Sequence, residues 1–229
     1  MQRELLPREV PRVPGLELAG VCQPAIAVGG DYYDYLQAGD GRLGLVIADV
    51  SGKGVPAALL MASLQASMRS RFPTAATPGE LSTGLNEALV RSSSTARYAT
   101  AFVATFDPET RELSYSNAGH LPALVVRDSE TLRCEEGGVP IGLFDGAAYE
   151  TGFRTLAPGD LLALFTDGVS EAPAPDGEEF GAERLAELLL AHRLRPLDEV
   201  VQTVLDTLLA WTGPAEAHDD VTLVLARVT

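Results

Sequence analysis

The order of strand-like and helix-like segments is the feature that most constrains how this chain can fold. Apolar runs rich in β-branched residues predict eight strands, at 16–23, 43–50, 98–106, 112–116, 121–127, 149–155, 160–165 and 221–228. Residues with helical periodicity fall into two pairs, 55–71 with 78–91 and 181–192 with 197–211. Because the helices come in pairs between runs of consecutive strands, the order predicts an α+β layered fold with antiparallel sheets, not a doubly wound sheet.

The length of the chain predicts one large folded domain. Its 229 residues suffice for a single sizeable core, and no repeat or low-complexity linker divides them. The apolar runs are far shorter than the ~18 residues that a membrane-spanning helix needs. The amino end also lacks the apolar core of a secretory signal, so we expect a cytoplasmic location.

The charge balance argues against polyanionic partners. The chain has 32 acidic and 17 basic residues, and its formal net charge is −15. Proteins that hold nucleic acid or an anionic membrane usually do so with clustered Lys and Arg. We therefore expect no nucleic acid and no membrane among the partners, and a metal-dependent nuclease is disfavoured for the same reason.

Acidic residues stand where apolar strand-like runs begin or end. They are Asp31, Asp49, Asp167, Asp219 and Asp220. Acids in this setting, without a cluster of His or Cys, suit hard cations such as Mg²⁺ or Mn²⁺ better than zinc. Two such ions that share a carboxylate can activate a water for attack on phosphorus. Each aspartate alone is equally typical of a turn or helix cap after a strand, and that alternative stays open here.

The glycine-rich loop at 51–54 does not match the common nucleotide or hydrolase motifs. In Ser51-Gly-Lys-Gly54 the lysine is followed by Gly instead of Ser or Thr, which argues against a phosphate-binding P-loop. Ser51 also lacks the flanking Gly-x-Ser-x-Gly pattern, and the chain has three histidines to serve as a base. A serine hydrolase is therefore disfavoured.

Six motifs follow one another along essentially the whole chain. They are Leu5-Leu-Pro7 with Pro14-Gly-Leu-Glu17, Gly29-Gly-Asp-Tyr-Tyr-Asp34, Asp49-Val-Ser-Gly-Lys-Gly54, Asn117-Ala-Gly-His-Leu-Pro122, Thr166-Asp-Gly-Val-Ser-Glu171 and His218-Asp-Asp-Val-Thr222. In this order they resemble the PPM-type (protein phosphatase 2C-like) Ser/Thr phosphatases, in the bacterial SpoIIE-like and RsbU-like branch. The resemblance implies a four-layer αββα sandwich, with two antiparallel sheets face to face and helix pairs outside.

The resemblance also implies two Mn²⁺ or Mg²⁺ ions and a role for each strand-end acid. Asp49 would bridge the ions beside the Val50 carbonyl, Asp31 would complete one site, and Asp167 with Asp219 would complete the other. Asp220 would shape the site more than bind metal. The implied reaction is direct attack of a metal-bridging water on phosphoserine or phosphothreonine, with Asp31 and Asp49 activating the water through the ions.

The resemblance also singles out further residues of the motifs. Asp34 and Glu171 are further candidate metal ligands, Glu171 for a third ion. His120 stands where many relatives outside this branch have an aspartate, so a third site is doubtful; His120 is either a proton donor to the leaving group or a structural residue. The chain lacks a clear counterpart of the phosphate-holding arginine of eukaryotic relatives. Lys53 could substitute in part, or be an exposed loop residue.

The resemblance further implies partners and domain limits. The usual substrate in this branch is a phosphorylated anti-anti-sigma protein of the STAS fold, and an amino-terminal sensory or dimerising module, or another upstream regulator, controls activity. We expect a connecting stub at 1–14 and the catalytic domain at 15–229, either excised from a longer protein or free-standing, with a homodimer as one arrangement. A different class of function stays open: a phosphatase fold that docks a partner with weak or no turnover.

Overall fold

The computed structural model describes residues 5–25, 29–37, 41–52, 54–92, 97–128, 130–213 and 219–229. The strands are β1 (Leu16–Gln23), β2 (Tyr32–Gln37), β3 (Leu43–Val50), β4 (Ala99–Asp107), β5 (Glu112–Ala118), β6 (Ala123–Val126), β7 (Thr131–Cys134), β8 (Gly137–Gly138), β9 (Gly152–Thr155), β10 (Leu161–Phe165) and β11 (Val221–Val228). The helices are α1 (Val55–Arg71), α2 (Pro78–Ser92), α3 (Asp167–Ser170), α4 (Ala182–His192) and α5 (Leu197–Thr212), with a short 3-10 helix at Phe72–Thr74. None of the described helices is long and apolar enough to cross a membrane.

The strands form two sheets. The first has the order β1-β11-β10-β6-β7, and the second has the order β2-β3-β4-β5-β8, with β9 also paired to β5. Among the described strands, only β5 and β8 pair in parallel. Antiparallel strands can be joined by short loops, whereas parallel ones need crossovers. This explains why strands follow one another in runs and helices come in pairs.

The core is divided into three apolar layers by the two sheets. Ile47 and Leu164 meet between the sheets. Met61 packs under α1 and α2 on the outer face of the second sheet. Leu189 and Val204 pack under α4 and α5 on the outer face of the first sheet. The order helix, sheet, sheet, helix confirms the predicted α+β sandwich of four layers.

Several elements differ from the pattern-based prediction. Strand β2 was not predicted, because Asp34 interrupts its apolar run; in the structure Arg69 pairs with that carboxylate and lets the strand continue. The short elements β7, β8 and α3 were also missed. The strands predicted at 121–127 and 149–155 are shorter, and are β6 and β9.

The ends of four strands, those next to the predicted acids, lie at one end of the sandwich. In the second sheet, β3 ends at Val50 where its antiparallel neighbour β2 begins at Tyr32. In the first sheet, β10 ends at Phe165 where β11 begins at Val221. The segments that carry the predicted acids are therefore those that leave or enter the sheets at this end.

Candidate active site

Five aspartates form one cluster at this end: Asp31, Asp49, Asp167, Asp219 and Asp220, called here the aspartate cluster. Burial, and then the charges of Asp167, Asp219 and Asp220, raise the pKa of Asp49 to about 7. Burial is also the main cause that raises the pKa of Asp31 well above its usual value, and the charges of Asp49 and Asp220 add to it. Carboxylates that shift one another in this way lie close together. The cluster therefore contains acids from segments of both sheets. A positive charge bound among them would offset their mutual repulsion.

Two threonines at the end of the first sheet, Thr166 just after β10 and Thr222 in β11, hold Asp31. The Thr166 and Thr222 hydroxyls both donate to Asp31 Oδ2, at 2.7 Å and 2.6 Å, and all three residues are buried. Hydrogen bonds to a carboxylate favour its charged form and oppose the effect of burial. They also fix the direction of the carboxylate, which leaves Oδ1 for another partner.

We expect Thr222→Val to weaken Mn²⁺ binding by about 10–100-fold, the usual cost of removing a group that orients a metal ligand. Valine keeps the shape of threonine but cannot donate to Asp31, so the carboxylate keeps one of its two hydroxyl donors. Isothermal titration calorimetry with Mn²⁺ measures the change. Thr222→Ser retains a hydroxyl and is the matched control. Equal affinity of the Val variant and the wild type would show that this hydrogen bond does not prepare Asp31 for metal.

Asp220 holds the backbone that precedes β2. Its Oδ2 accepts from the Gly30 amide at 2.7 Å, and its Oδ1 accepts from the Ala25 amide at 2.8 Å. A Cβ on Gly29 would overlap the same carboxylate, so glycine permits the approach. With both oxygens bonded to backbone amides, Asp220 is placed to shape the site, which favours that prediction over direct metal binding.

Gly30 keeps space open next to two oxygens of β3. A Cβ on Gly30 would lie 2.8 Å from the Val50 carbonyl oxygen and 3.0 Å from Asp49 Oδ1. The Val50 carbonyl and the Asp49 carboxylate therefore face the same small space, which a larger residue would fill. Carboxylate and backbone carbonyl oxygens are the ligands that Mg²⁺ and Mn²⁺ prefer.

A cavity of about 220 Å³, called here the central cavity, opens beside the aspartate cluster. Its lining comprises Asp49, Thr100, Gly119, His120, Leu121, Asp167 and Glu171. Asp49 comes from the second sheet and Asp167 follows the first, so the cavity lies across the junction of the two sheets. A phosphoryl group that enters from solvent can reach carboxylates on both sides there. Glu171 lies at the same cavity, where the sequence predicted a further ligand.

His120 lies at the cavity wall with both ring nitrogens in contact with the protein. Nδ1 is 2.8 Å from Thr100 Oγ1, and Nε2 is 3.2 Å from the Phe165 carbonyl oxygen. A carbonyl only accepts, so Nε2 carries the proton and Nδ1 accepts from the Thr100 hydroxyl. Burial lowers the pKa of His120 to about 4. A neutral ring with both nitrogens engaged favours the structural role over proton donation.

Asp34 faces away from the aspartate cluster. Tyr32 and Asp34 share one face of β2, since alternate strand residues do, and Tyr32 packs in the core under α1. Arg69 of α1 binds both Asp34 oxygens at 2.7 Å and 3.1 Å, and the Tyr32 hydroxyl donates at 2.6 Å. This ion pair satisfies the carboxylate, so the structure does not support Asp34 as a metal ligand.

The donor set of carboxylate and backbone carbonyl oxygens fits hard divalent cations. Within the described ranges, no group of three His, Cys, Asp or Glu side chains is already arranged to hold a metal ion. Lys53, predicted as a substrate-binding residue, lies outside the described residues.

Sequence reasoning assigned no role to Thr166, Thr222 or Gly30, although all three lie within motifs it had singled out. Their roles depend on partners far along the chain: 135 residues separate Thr166 from Asp31, and 191 separate Thr222 from it. The signal that could have found the threonines is their position within two residues of a strand-end aspartate.

Comparisons with known proteins agree with this site. Residues 39–229 match the family described as Stage II sporulation protein E (SpoIIE). The phosphoserine phosphatase RsbU of Bacillus subtilis is 30% identical over 231 aligned residues, which cover 99% of this chain and 68% of RsbU.

Two solved structures share the fold over most of this chain. One contains the RsbU and RsbW domains of a Mycobacterium tuberculosis protein, with 30% identity, a TM-score of 0.82 and coverage of 94% of this chain and 60% of that one. The other is the SiaA-PP2C domain of Pseudomonas aeruginosa, with 26% identity, a TM-score of 0.84 and coverage of 93% and 86%. The strand-end aspartates, the four-layer sandwich and these matches lead to one conclusion: the chain belongs to the SpoIIE family and is a phosphatase domain of the PP2C type.

Proposed function

We propose that this protein serine/threonine phosphatase works with two divalent cations, Mg²⁺ or Mn²⁺, on a phosphoserine or phosphothreonine of a regulatory protein. The observation that carries the proposal is the position of Asp49. It lies at the junction of the two sheets beside the Val50 carbonyl, and burial, followed by the charges of three carboxylates near it, raises its pKa to about 7. A partly buried group of like charges at a cavity is costly for the fold and is typical of a functional site.

The ligands of the two ions would come from different sheets. Asp49 would contact both ions, with Asp31 and the Val50 carbonyl on the side of the second sheet. Asp167 and Asp219 would hold the other ion from the first sheet. Thr166 and Thr222 orient Asp31, and Asp220 holds the backbone before β2. When bound, the cations would supply positive charge for the phosphoryl group and lower the pKa of the attacking water.

The cluster also explains why metal would be required. A phosphate monoester carries close to two negative charges at neutral pH. The aspartate cluster would repel it, because like charges in a partly buried site interact strongly. Phosphatases of this family are metal-dependent in general, and the donor set described above fits that chemistry.

The substrate we propose is a phosphorylated STAS-type anti-anti-sigma protein. Two findings support it: RsbU of Bacillus subtilis is named a phosphoserine phosphatase, and a related Mycobacterium tuberculosis protein joins an RsbU domain to an RsbW domain. We further propose a cytoplasmic location and control by an upstream module or regulator, with dimerisation as one route. This chain spans 68% of RsbU and 60% of the Mycobacterium chain, so the relatives have room for such modules.

The test is turnover of p-nitrophenyl phosphate and of a phosphoserine-containing STAS protein, each with Mn²⁺, with Mg²⁺ and with EDTA. We expect hydrolysis of both substrates with metal and loss of hydrolysis in EDTA that added Mn²⁺ restores. Binding of the phosphoprotein without turnover of either substrate would instead support the docking-module alternative. Turnover that EDTA leaves unchanged would contradict the two-cation mechanism.

A further inference from the structure

A second cavity, of about 190 Å³, adjoins the central cavity; we call it the α5 pocket. Asp167 and Glu171 line both cavities, so the two lie side by side. The proposed catalytic group does not use the far wall of the α5 pocket. That wall is mainly apolar and comprises Ala172, Pro173, Leu205, Leu208, Leu209 and Thr212.

The wall contributed by α5 is one continuous stripe of that helix. Leu205, Leu209 and Thr212 recur at spacings of four and three residues, which places them on one face. Leu208 beside them is buried in the core, whereas Leu209 is 68% exposed and marks the mouth of the pocket. A single exposed leucine is ordinary. An exposed leucine at an apolar pocket that adjoins the central cavity is a less common arrangement.

The two walls of the α5 pocket are fixed to each other. Trp211 Nε1 of α5 donates to the Ala172 carbonyl oxygen at 3.1 Å. The Trp211 ring also packs edge-to-face on Phe180, with centroids 5.7 Å apart, and Arg184 stacks over it at 4.6 Å. The pocket is therefore preformed, and binding there carries little cost for ordering its walls.

We propose that the α5 pocket binds an aliphatic side chain of the substrate protein, within about three residues of the phosphorylated residue. The inference rests on the proposed function, because the occupant is the phosphoprotein itself. The position of the pocket next to the central cavity argues for this occupant: a chain whose phosphoryl group lies at Asp49 and Asp167 has its neighbouring residues close to the pocket, because an extended chain advances about 3.3 Å per residue.

The size and chemistry of the pocket select the side chain. Its volume is below the roughly 300–1,000 Å³ of pockets that take drug-sized ligands, so it suits one side chain. The acids that line it, Asp167, Glu171 and Asp219, are all candidate ligands of cations, which leaves the apolar wall to select the occupant. Leucine, isoleucine or methionine fits a wall of leucines, and a basic side chain does not.

Matched phosphoserine peptides test the proposal. The set contains peptides that differ at one position, with Leu, Ala or Lys at each site within about three residues of the phosphoserine. For the wild-type chain with Mn²⁺ we expect kcat/KM to be about tenfold higher for one Leu peptide than for its Ala counterpart, a typical effect of an apolar pocket on a small aliphatic difference. The Lys counterpart should resemble the Ala peptide.

The variant Leu209→Gln should reduce that Leu-to-Ala ratio to less than about twofold, because it makes the pocket mouth polar. The ratio is measured within one variant, so a general change in turnover cancels. Leu194→Gln, at a leucine that is 77% exposed and is not among the residues that line the pocket, is the control and should keep the full ratio.

Several results would overturn the inference while the proposed function stands. They are the absence of any Leu preference, a preference that survives in Leu209→Gln, a preference for Lys, or hydrolysis of p-nitrophenyl phosphate without hydrolysis of any peptide. No turnover of any substrate with Mn²⁺ is a different result: it would overturn the proposed function, and this inference with it.

Discussion

Replacing Asp49 with asparagine should lower metal-dependent turnover by about 10³-fold or more, the scale seen when a central catalytic group is removed. Asp49 lies in the second sheet, close to Asp167 and Asp219, which flank strands of the first sheet. Gly30 leaves open space at Asp49 Oδ1. Asparagine keeps the size of the side chain but removes the negative charge that both cations would share. The rate of hydrolysis of p-nitrophenyl phosphate at saturating Mn²⁺ measures the loss. Asp145→Asn, at an exposed loop position, is the control and should retain activity.

The same substitution should stabilise the metal-free protein, which an ordinary damaging mutation would not do. The pKa of Asp49 is about 7 when folded, against 3.8 as its usual value. The folded chain therefore binds this proton more tightly than the unfolded chain, and the stability it contributes is lost as pH rises from about 4 through 7. A pKa difference of one between the folded and unfolded chain corresponds to about 1.4 kcal/mol, and partial exposure of Asp49 reduces the effect. We expect Asp49→Asn to gain about 2 kcal/mol at pH 8 in EDTA.

Urea unfolding in EDTA at pH 5.5 and pH 8 measures this gain, which should be about half as large at the lower pH, because pH 5.5 lies midway between the two pKa values. His120 contributes with the opposite sign: its pKa is lowered to about 4, so its contribution is lost as pH falls from about 6.5 towards 4. Both proteins contain His120, so the difference between them isolates Asp49. A variant that is inactive and also less stable at pH 8 would mean that Asp49 supports the fold instead of straining it.

The predictable part of the site was its set of strand-end acids. Asp49 and Asp167 could be placed from sequence because each lies at the end of an apolar strand. In an antiparallel sandwich the strand ends lie at the two ends of the sandwich. Asp34 shows the limit of this reasoning. It shares a motif with Asp31, but alternation along β2 turns it towards α1, and its partner Arg69 lies 35 residues further along the chain.

The architecture of the fold was predictable from the sequence, but some of its elements were not. The segregated order of strands and helix pairs suffices for the four-layer architecture, because hydrophobic periodicity reports which faces are buried. It does not report how a polar residue inside a strand is satisfied, so β2 was missed. It also does not report one-turn helices such as α3, whose four residues are too few for a periodic signal.

Gly168 of α3 shows how tightly this unpredicted helix is held against β11. A Cβ at this position would overlap the backbone carbonyl oxygen of Asp220, just before β11 begins. Two hydrogen bonds hold the backbone between α3 and β11 in place. The amide of Thr222 donates to Thr166 Oγ1 at 3.1 Å, and the Thr166 amide donates to the Thr222 carbonyl at 3.1 Å. A side chain at 168 must therefore push α3, and Asp167 with it, away from the aspartate cluster.

We expect Gly168→Ala to lower the free energy of unfolding by about 3 kcal/mol, as a methyl group forced into packed backbone does. Mn²⁺ binding should weaken with it, because Asp167 moves. Gly84→Ala is the matched control: this glycine also lies inside a helix, but its Cβ would meet the Arg71 guanidinium at 2.9 Å, which can swing aside. The control should gain about 0.5–1 kcal/mol from the better helix propensity of alanine. Urea unfolding of both variants decides the matter, and equal stability of the two would contradict the close approach of α3 to β11.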